Sequence, residues 1–362
     1  MSPLRRGLLA LVTVAVLWPA GNAVAAPPAG SGNAATPAAG DPASFASGLE
    51  LPAAAGALAP NLRPGGLLSW LEPVATSTGS GHRLLFARPR GDGWAPPQPV
   101  VEGTDFFANW ADLPAVVELP GGGLVASWLA QAGEDPYAYG IRLAVSKDGG
   151  ESFAPVGWLH RDRSENEHGF VSLVPRRDAG AWAFWLDGGA LDTGGAMQLH
   201  TATVLGPSGD TVTGEEVLDP RVCECCTTSA ARTADGPVVV YRGRTESEIR
   251  DIRIVRRTGE GWSEPKTVAD DAWRVSGCPV NGPAIDADGR RVVVAWFTGG
   301  EPGPRVRVAF SKDGGASFGR PFDVDSENPR GRVDVALLAD GDAVVSWLGR
   351  GDEGSEVRLR RV

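Results

Sequence analysis

Basic residues are few in number and narrow in kind: 34 Lys and Arg face 44 Asp and Glu, and three of the 34 are Lys. The resulting formal charge of -10 excludes a chain that wraps nucleic acid by counterion release. Long apolar runs are lacking too. The run of residues 7–18 is too short to span a bilayer, and no Cys stands where a lipoprotein would carry one. Residues 26–44 contain no aromatic, no Lys and no Arg, so they cannot bury enough surface to offset the entropy of ordering and read as a linker. What is abundant is Gly (49) and Pro (29), too many turn formers for a helical bundle in a chain that is 42% hydrophobic and holds 12 Trp and 11 Phe. An all-β fold with a large core is the expectation.

Residues 1–25 read as a secretory signal peptide: Arg5 and Arg6, the apolar run, then Ala23, Val24 and Ala25 as a small-residue cleavage site. A periplasmic or secreted protein with no membrane span is expected. Beyond the linker one apolar strand recurs six times, marked by Trp70, Trp128, Trp185, Tyr241, Trp296 and Trp347, at separations of 58, 57, 56, 55 and 51 residues. Each is followed by a strand of alternating pattern, and the period accommodates four short strands per unit. This predicts a six-bladed β-propeller over residues 45–362. The last unit stops after its third strand, so residues 45–51 are expected to supply the missing outer strand and close the ring.

Two units carry matching turns, Ser146-Lys147-Asp148-Gly149-Gly150-Glu151-Ser152-Phe153 and Ser311-Lys312-Asp313-Gly314-Gly315-Ala316-Ser317-Phe318. Here the chain resembles the Asp-box, or BNR repeat, of the sialidase superfamily. Turn chemistry gives Asp148 and Asp313 structural roles, capping backbone N–H groups where Gly takes positive φ. The resemblance implies a six-bladed fold and, for a sialidase, three Arg gripping a carboxylate, a Tyr nucleophile activated by a Glu, and an Asp acid/base. Arg63, in Asn61-Leu62-Arg63-Pro64, stands where the family carries its first Arg. No Tyr/Glu pair is assigned from the sequence: Tyr241 replaces the recurring Trp, and Tyr137 and Tyr139 lie in a strand connection.

Numbering each unit backward from its aromatic brings equivalent positions together. Trp110, Glu167, Cys223, Cys278 and Pro329 share one offset; His168, Glu224 and Arg330 the next; Asp112 and Cys225 the next; Cys226, Asn281 and Arg332 the last. With Asn109 and Asp334, these residues belong to the loops leading into the first strand of each unit, where a propeller gathers its ligand-binding mouth. Asn109, Trp110, Asp112, His168, Asn281, Arg332 and Asp334 are therefore candidate ligand-binding residues, with loop capping the ordinary alternative for the polar ones. Trp110 reads equally as a sugar-stacking platform or a lid on the core.

All four Cys lie in this ring. In an oxidising compartment Cys223, Cys225, Cys226 and Cys278 form disulfides between neighbouring loops, or serve as thiolate ligands to a soft ion such as Cu or Zn, or form a redox-active pair. The leading expectation is an exported Asp-box propeller whose mouth, organised by these cysteines, binds a small molecule, glycan or metal. The alternatives are a sialidase-type glycoside hydrolase, with Arg332 and Arg63 on a carboxylate and Asp112 as proton donor, and a protein-interaction scaffold using the rim.

Overall fold

The computed structural model describes residues 50–77, 79–178, 180–205 and 211–362. The leader, the linker and residues 45–49 of the expected closing segment lie outside the described residues. Strands account for almost all regular structure among them, with one 3-10 turn at Leu191–Thr193.

The first sheet joins Leu58–Leu62, Leu68–Thr76, Gly79–Ala87 and Gln98–Gly103, each strand antiparallel to its neighbour. The same meander recurs in sheets whose first strands are Ala115–Glu118, His168–Pro175, Ser229–Arg232, Ala284–Asp288 and Gly331–Leu337. The last sheet has three strands among the described residues, and Leu51 packs with Ala53 on Leu68, Trp70 and Leu85 of the first sheet.

Consecutive sheets pack face to face. One core cluster joins Val125, Ile141 and Leu143 of the second sheet to Leu173, Trp185 and Val204 of the third; another joins Val240 and Ile254 of the fourth to Val294 and Trp296 of the fifth. Second strands are buried on both faces, which is why they read as continuous apolar runs rather than alternating ones. First strands converge: Arg63 Nη2, just past the first strand of the first sheet, donates to Leu173 O in the first strand of the third at 3.0 Å. The architecture is that of a β-propeller.

The recurring aromatic sits in the second strand of every sheet, and all six copies are buried. In five of the six, Trp128 being the exception, its polar hydrogen is donated to an acid. Tyr241 O–H donates to Asp219 Oδ2 (2.7 Å), Trp296 Nε1 to Asp271 Oδ2 (2.6 Å) and Trp347 Nε1 to Asp325 Oδ2 (2.6 Å). Each Asp stands at or just beyond the last strand of the preceding sheet, so the contact latches one sheet to the next. An Arg directly opposite the aromatic completes it: Arg253, Arg307 and Arg358 pair with Asp219, Asp271 and Asp325. Hydrogen bonds to a charged partner contribute about 1.5–3 kcal/mol each, enough to make the aromatic's N–H or O–H matter beside its packing. In the first and third sheets the acid comes from the same strand, Glu72 for Trp70 and Asp187 for Trp185, both at 2.9 Å.

The two matching turns lie at the far ends of the third strands. Asp148 Oδ1 accepts from Ser152 N (3.0 Å) and Asp313 Oδ1 from Ser317 N (2.9 Å), while Ser146 and Ser311 hydroxyls accept from the N–H of Gly150 and Gly315. Gly149, Gly150, Gly314 and Gly315 have φ between 71° and 99°, the left-handed region these turns require.

Candidate functional site

The loops leading into the first strands gather at the opposite end. In the second sheet's loop, Asn109 Oδ1 accepts from the N–H of Ala111 (2.7 Å) and Asp112 (2.8 Å), so this side chain is spent on capping its own turn. Asp112 Oδ2 then crosses to the third sheet and accepts from Phe170 N. Asn281 does the same between the fifth and sixth sheets: its Oδ1 accepts from Arg332 N at 2.8 Å. The receiving residues share a conformation, Phe170 at φ 56° and Arg332 at φ 57°, each preceded by a Gly. A Cβ on Gly169 would stand 2.2 Å from Asp112 Oδ2, and one on Gly331 2.1 Å from Asn281 Oδ1. Asp112 and Asn281 are thus equivalent staples, one built with a carboxyl and one with an amide.

The carboxyl differs from the amide in what surrounds it. Asp112 is buried, and burial pushes it up to about 8, against the Phe170 N–H bond and with help from the charge of Glu167. Glu167, half-buried, is also raised by burial and accepts the phenol proton of Tyr139. Tyr139 is itself buried, stacked on Phe107 with ring centroids 4.1 Å apart, and burial with both neighbouring carboxyls drives its ionisation far up. A Tyr/Glu pair therefore exists, contrary to the reading of the sequence. Tyr139 begins a third strand and Glu167 precedes the next sheet's first strand, 28 residues on, so no spacing rule linked them.

Trp110 is 58% exposed and lies over Arg332, whose guanidinium carbon is 4.0 Å from the ring centroid. The pair joins the second sheet's loop to the sixth sheet across the mouth, and burial lowers Arg332 to about 10. Arg63 does not join it. It follows the far end of its strand, where burial lowers it and Asp334 is its charged neighbour. Asp334 keeps accessible surface yet is enclosed by protein, and the enclosure pushes its carboxyl up to about 6. Arg63 is thus held by Leu173 O and the charge of Asp334, and Arg332 by Trp110.

Cys225 and Cys278 form a disulfide, with Cα atoms 6.0 Å apart. Sharing an offset did not make Cys223 the partner of Cys278, and a site of four thiolates is not assembled. Cys223 and Cys226 are buried thiols with Sγ atoms 2.6 Å apart. Burial opposes the Cys223 thiolate, but Cys226, the Cys225 N–H, Arg242 and Arg250 together bring it down to about 6; burial and Cys223 push Cys226 up. Beside the disulfide a shallow depression of 450 Å³ is lined by Glu224, Arg244, Glu248 and Arg250, which pair with one another.

His168 opens the third sheet's first strand but has no exposed surface, so a glycan at the mouth cannot touch it. It packs against His160, Asp162 and Asp187 behind the loops.

No protein-family model and no curated protein sequence matches the chain. Solved structures do resemble it. A protein of unknown function from Dyadobacter fermentans superposes with a TM-score of 0.52 at 12% identity, covering 84% of this chain and 94% of that one. An ulvan lyase of polysaccharide lyase family 25 gives 0.52 at 12% identity, covering 84% and 78%. A mutant α-L-arabinofuranosidase from Fusarium graminearum, bound to an iminosugar inhibitor, gives 0.50 at 12%, covering 84% and 92%. At this identity the likeness carries the fold alone. No helix of the described residues is long and apolar enough to cross a membrane.

Proposed function

We propose that the chain is an exported, glycan-hydrolysing six-bladed β-propeller of the sialidase-like kind. Residues 1–25 are the leader, 26–44 a linker, and residues 45–51 add the outer strand that the sixth sheet lacks among the described residues. The observation that carries the chemistry is the pair of mouth carboxyls: Asp112, pushed up to about 8 by burial, and Glu167, which burial also raises but whose ionised form the Tyr139 hydroxyl and His168 favour. Asp112 protonates the departing glycosidic oxygen; Glu167 takes the proton of the attacking water. Tyr139 positions Glu167 and is not a nucleophile, because its phenol is buried and already donated. Trp110 over Arg332 offers a sugar ring an aromatic face backed by a cation.

The purified protein is assayed against a panel of aryl glycosides and polysaccharides. Asp112→Asn and Glu167→Gln should each lower turnover at least 100-fold with the fold intact by circular dichroism, and Trp110→Ala should raise KM more than it lowers kcat. Turnover that survives both carboxyl changes sinks the assignment.

A second reading keeps the cysteine-organised mouth as the ligand site, favoured by the depression beside Cys278 and the two Arg that line it. Binding of a small anion lost in Arg244→Ala but kept in Asp112→Asn would support it.

A further inference from the structure

Three of the four His of the chain, His160, His168 and His200, gather with Asp162, Asp187 and Glu215 at the mouth end of the third sheet, His168 following Glu167 directly in the chain. The latch of the fourth to sixth sheets is not repeated in the first three, and the third departs from it in a particular way. Opposite the aromatic, the fourth, fifth and sixth sheets place Arg253, Arg307 and Arg358, each neutralising the acid that the aromatic holds. Opposite Trp185 stands His200. The acid is still there: Asp187 accepts from Trp185 Nε1. The fixed cation is not.

The tautomer of His200 sharpens the point. Its Nε2 lies 3.0 Å from Gln198 Oε1, an amide oxygen that can only accept, so Nε2 carries a proton and donates it. Nδ1 of the neutral ring is then a lone pair. It is buried, makes no hydrogen bond, and faces carboxylate oxygens of Glu215 at 3.4 Å and Asp187 at 3.9 Å. Behind Asp187, the fully buried His168 also has neither ring nitrogen in a hydrogen bond, although Asp187 and Asp162 oxygens lie 3.0 and 3.2 Å away. A lone pair turned toward two carboxylates is repulsive unless a proton or a metal ion lies between them.

We propose that Asp187, His200 Nδ1 and Glu215 bind one divalent transition-metal ion of the zinc class, which supplies the positive charge that Arg supplies in the fourth to sixth sheets. Ligand atoms of the three lie within 4.8 Å of one another. Tetrahedral zinc with bonds of about 2.0–2.1 Å needs separations of about 3.3 Å; His200 to Glu215 is 3.4 Å, and His200 to Asp187, at 3.9 Å, must close on the ion. Two carboxylates match the charge of a dication, with the exposed Arg161 Nε also 3.7 Å from Glu215 Oε2, and this nitrogen and oxygen set suits zinc, cobalt or manganese better than a soft ion. The outer contacts hold the ligands as metal sites require: Gln198 fixes the His200 tautomer, and Arg161 N donates to Glu215 Oε2 at 2.9 Å, leaving Oε1 toward His200. His160 is not a ligand, since Ile141 N donates to its Nε2 and its Nδ1 meets Asp162 O. Glu215 and His200 keep 10% and 12% of their side-chain surface, a path for the ion.

The test uses the whole chain with zinc, and with cobalt as the spectroscopic probe, reading stoichiometry by elemental analysis and calorimetry. His200→Arg is the decisive variant because it installs the residue that the latch uses elsewhere. Wild type and the Cys223→Ser/Cys226→Ser double variant should each bind one equivalent, with visible cobalt bands of four- or five-coordination. His200→Arg should bind none, and chelator should lower the melting temperature of wild type but not of this variant. Should His200→Arg fail to fold, Glu215→Gln, expected to weaken binding at least 100-fold, gives the same reading. Substoichiometric zinc in wild type, full binding in His200→Arg or in Glu215→Gln, or loss of binding only in the cysteine variant would overturn the proposal.

Discussion

Replacing Asp112 by Asn should cost the protein its activity and make it more stable in alkali. Both residues offer an Oδ acceptor to Phe170 N, and Asn281 already holds Arg332 N in this way, so the staple survives the change. What the change removes is a carboxyl that folding moves from 3.8 to about 8, chiefly through burial. The sign follows from proton counting. Between these values the folded state holds a proton that the unfolded state has released, so stability falls as pH rises from about 4 to about 8 and is level above. At about 1.36 kcal/mol per pH unit the ceiling is about 5–6 kcal/mol. Relaxation of the 109–112 loop and water entering beside it reduce this, and we expect about 2–3 kcal/mol at pH 8.5. Urea unfolding of wild type and variant at pH 4 and pH 8.5 measures it. Near-equal midpoints at pH 4 and a higher variant midpoint at pH 8.5, with unchanged m, are the expected result. A variant that is equally or less stable at pH 8.5, or a difference that does not grow with pH, would refute the buried neutral carboxyl and with it the proton donor.

Tyr241→Phe removes one latch hydrogen while Arg253 and the Arg221 N–H remain on Asp219, so stability should fall by about 1–2 kcal/mol, read as a lower urea midpoint with m unchanged. Reducing the Cys225–Cys278 bond, reachable because Cys278 is exposed, releases a loop of sequence separation 53 and should cost up to about 4 kcal/mol; Cys278→Ser should reproduce this without reductant. A fluorogenic sialoside should release little or no sialic acid, because the Tyr139 phenol is engaged by Glu167 and Arg63 is committed to Leu173 O; robust turnover lost in Arg332→Ala would reverse that reading.

The period of the recurring aromatics was readable because a buried second strand must present the same large side chain at the same place in every sheet. The latch was not read, though its signal is there: Asp219, Asp271 and Asp325 precede their aromatics by 22, 25 and 22 residues. A search for the aromatic alone misses the acid to which it donates. Equal offsets located the mouth loops, and the disulfide expected between neighbouring loops forms, but the shared offset of Cys223 and Cys278 does not pick the pair. Gly277 and Val280 take positive φ, so the 277–282 loop leaves the path of residues 223–226 and brings Cys278 to Cys225 instead. His168 failed as a mouth residue for a similar reason, since an offset fixes the backbone position and not the direction of the side chain.

A repeat also identifies its own exceptions, and these carry more information than its regularities. An amide at Asn281 makes the cross-sheet staple without any buried ionisable group, whereas Asp112 makes the same staple at a cost in stability above pH 4. Arg at three register positions neutralises an acid within the fold, whereas His200 leaves Asp187 without that fixed cation, the gap the proposed metal ion would fill. In each case packing and hydrogen bonding alone would be satisfied by the residue used elsewhere in the ring. Local choices that oppose stability where a stable alternative is available one sheet away are where function concentrates. Both exceptions fall on the third sheet or on the loop that meets it. Asn at 112 and Arg at 200 would therefore make this part of the chain more like the rest of the propeller, more stable, and inert.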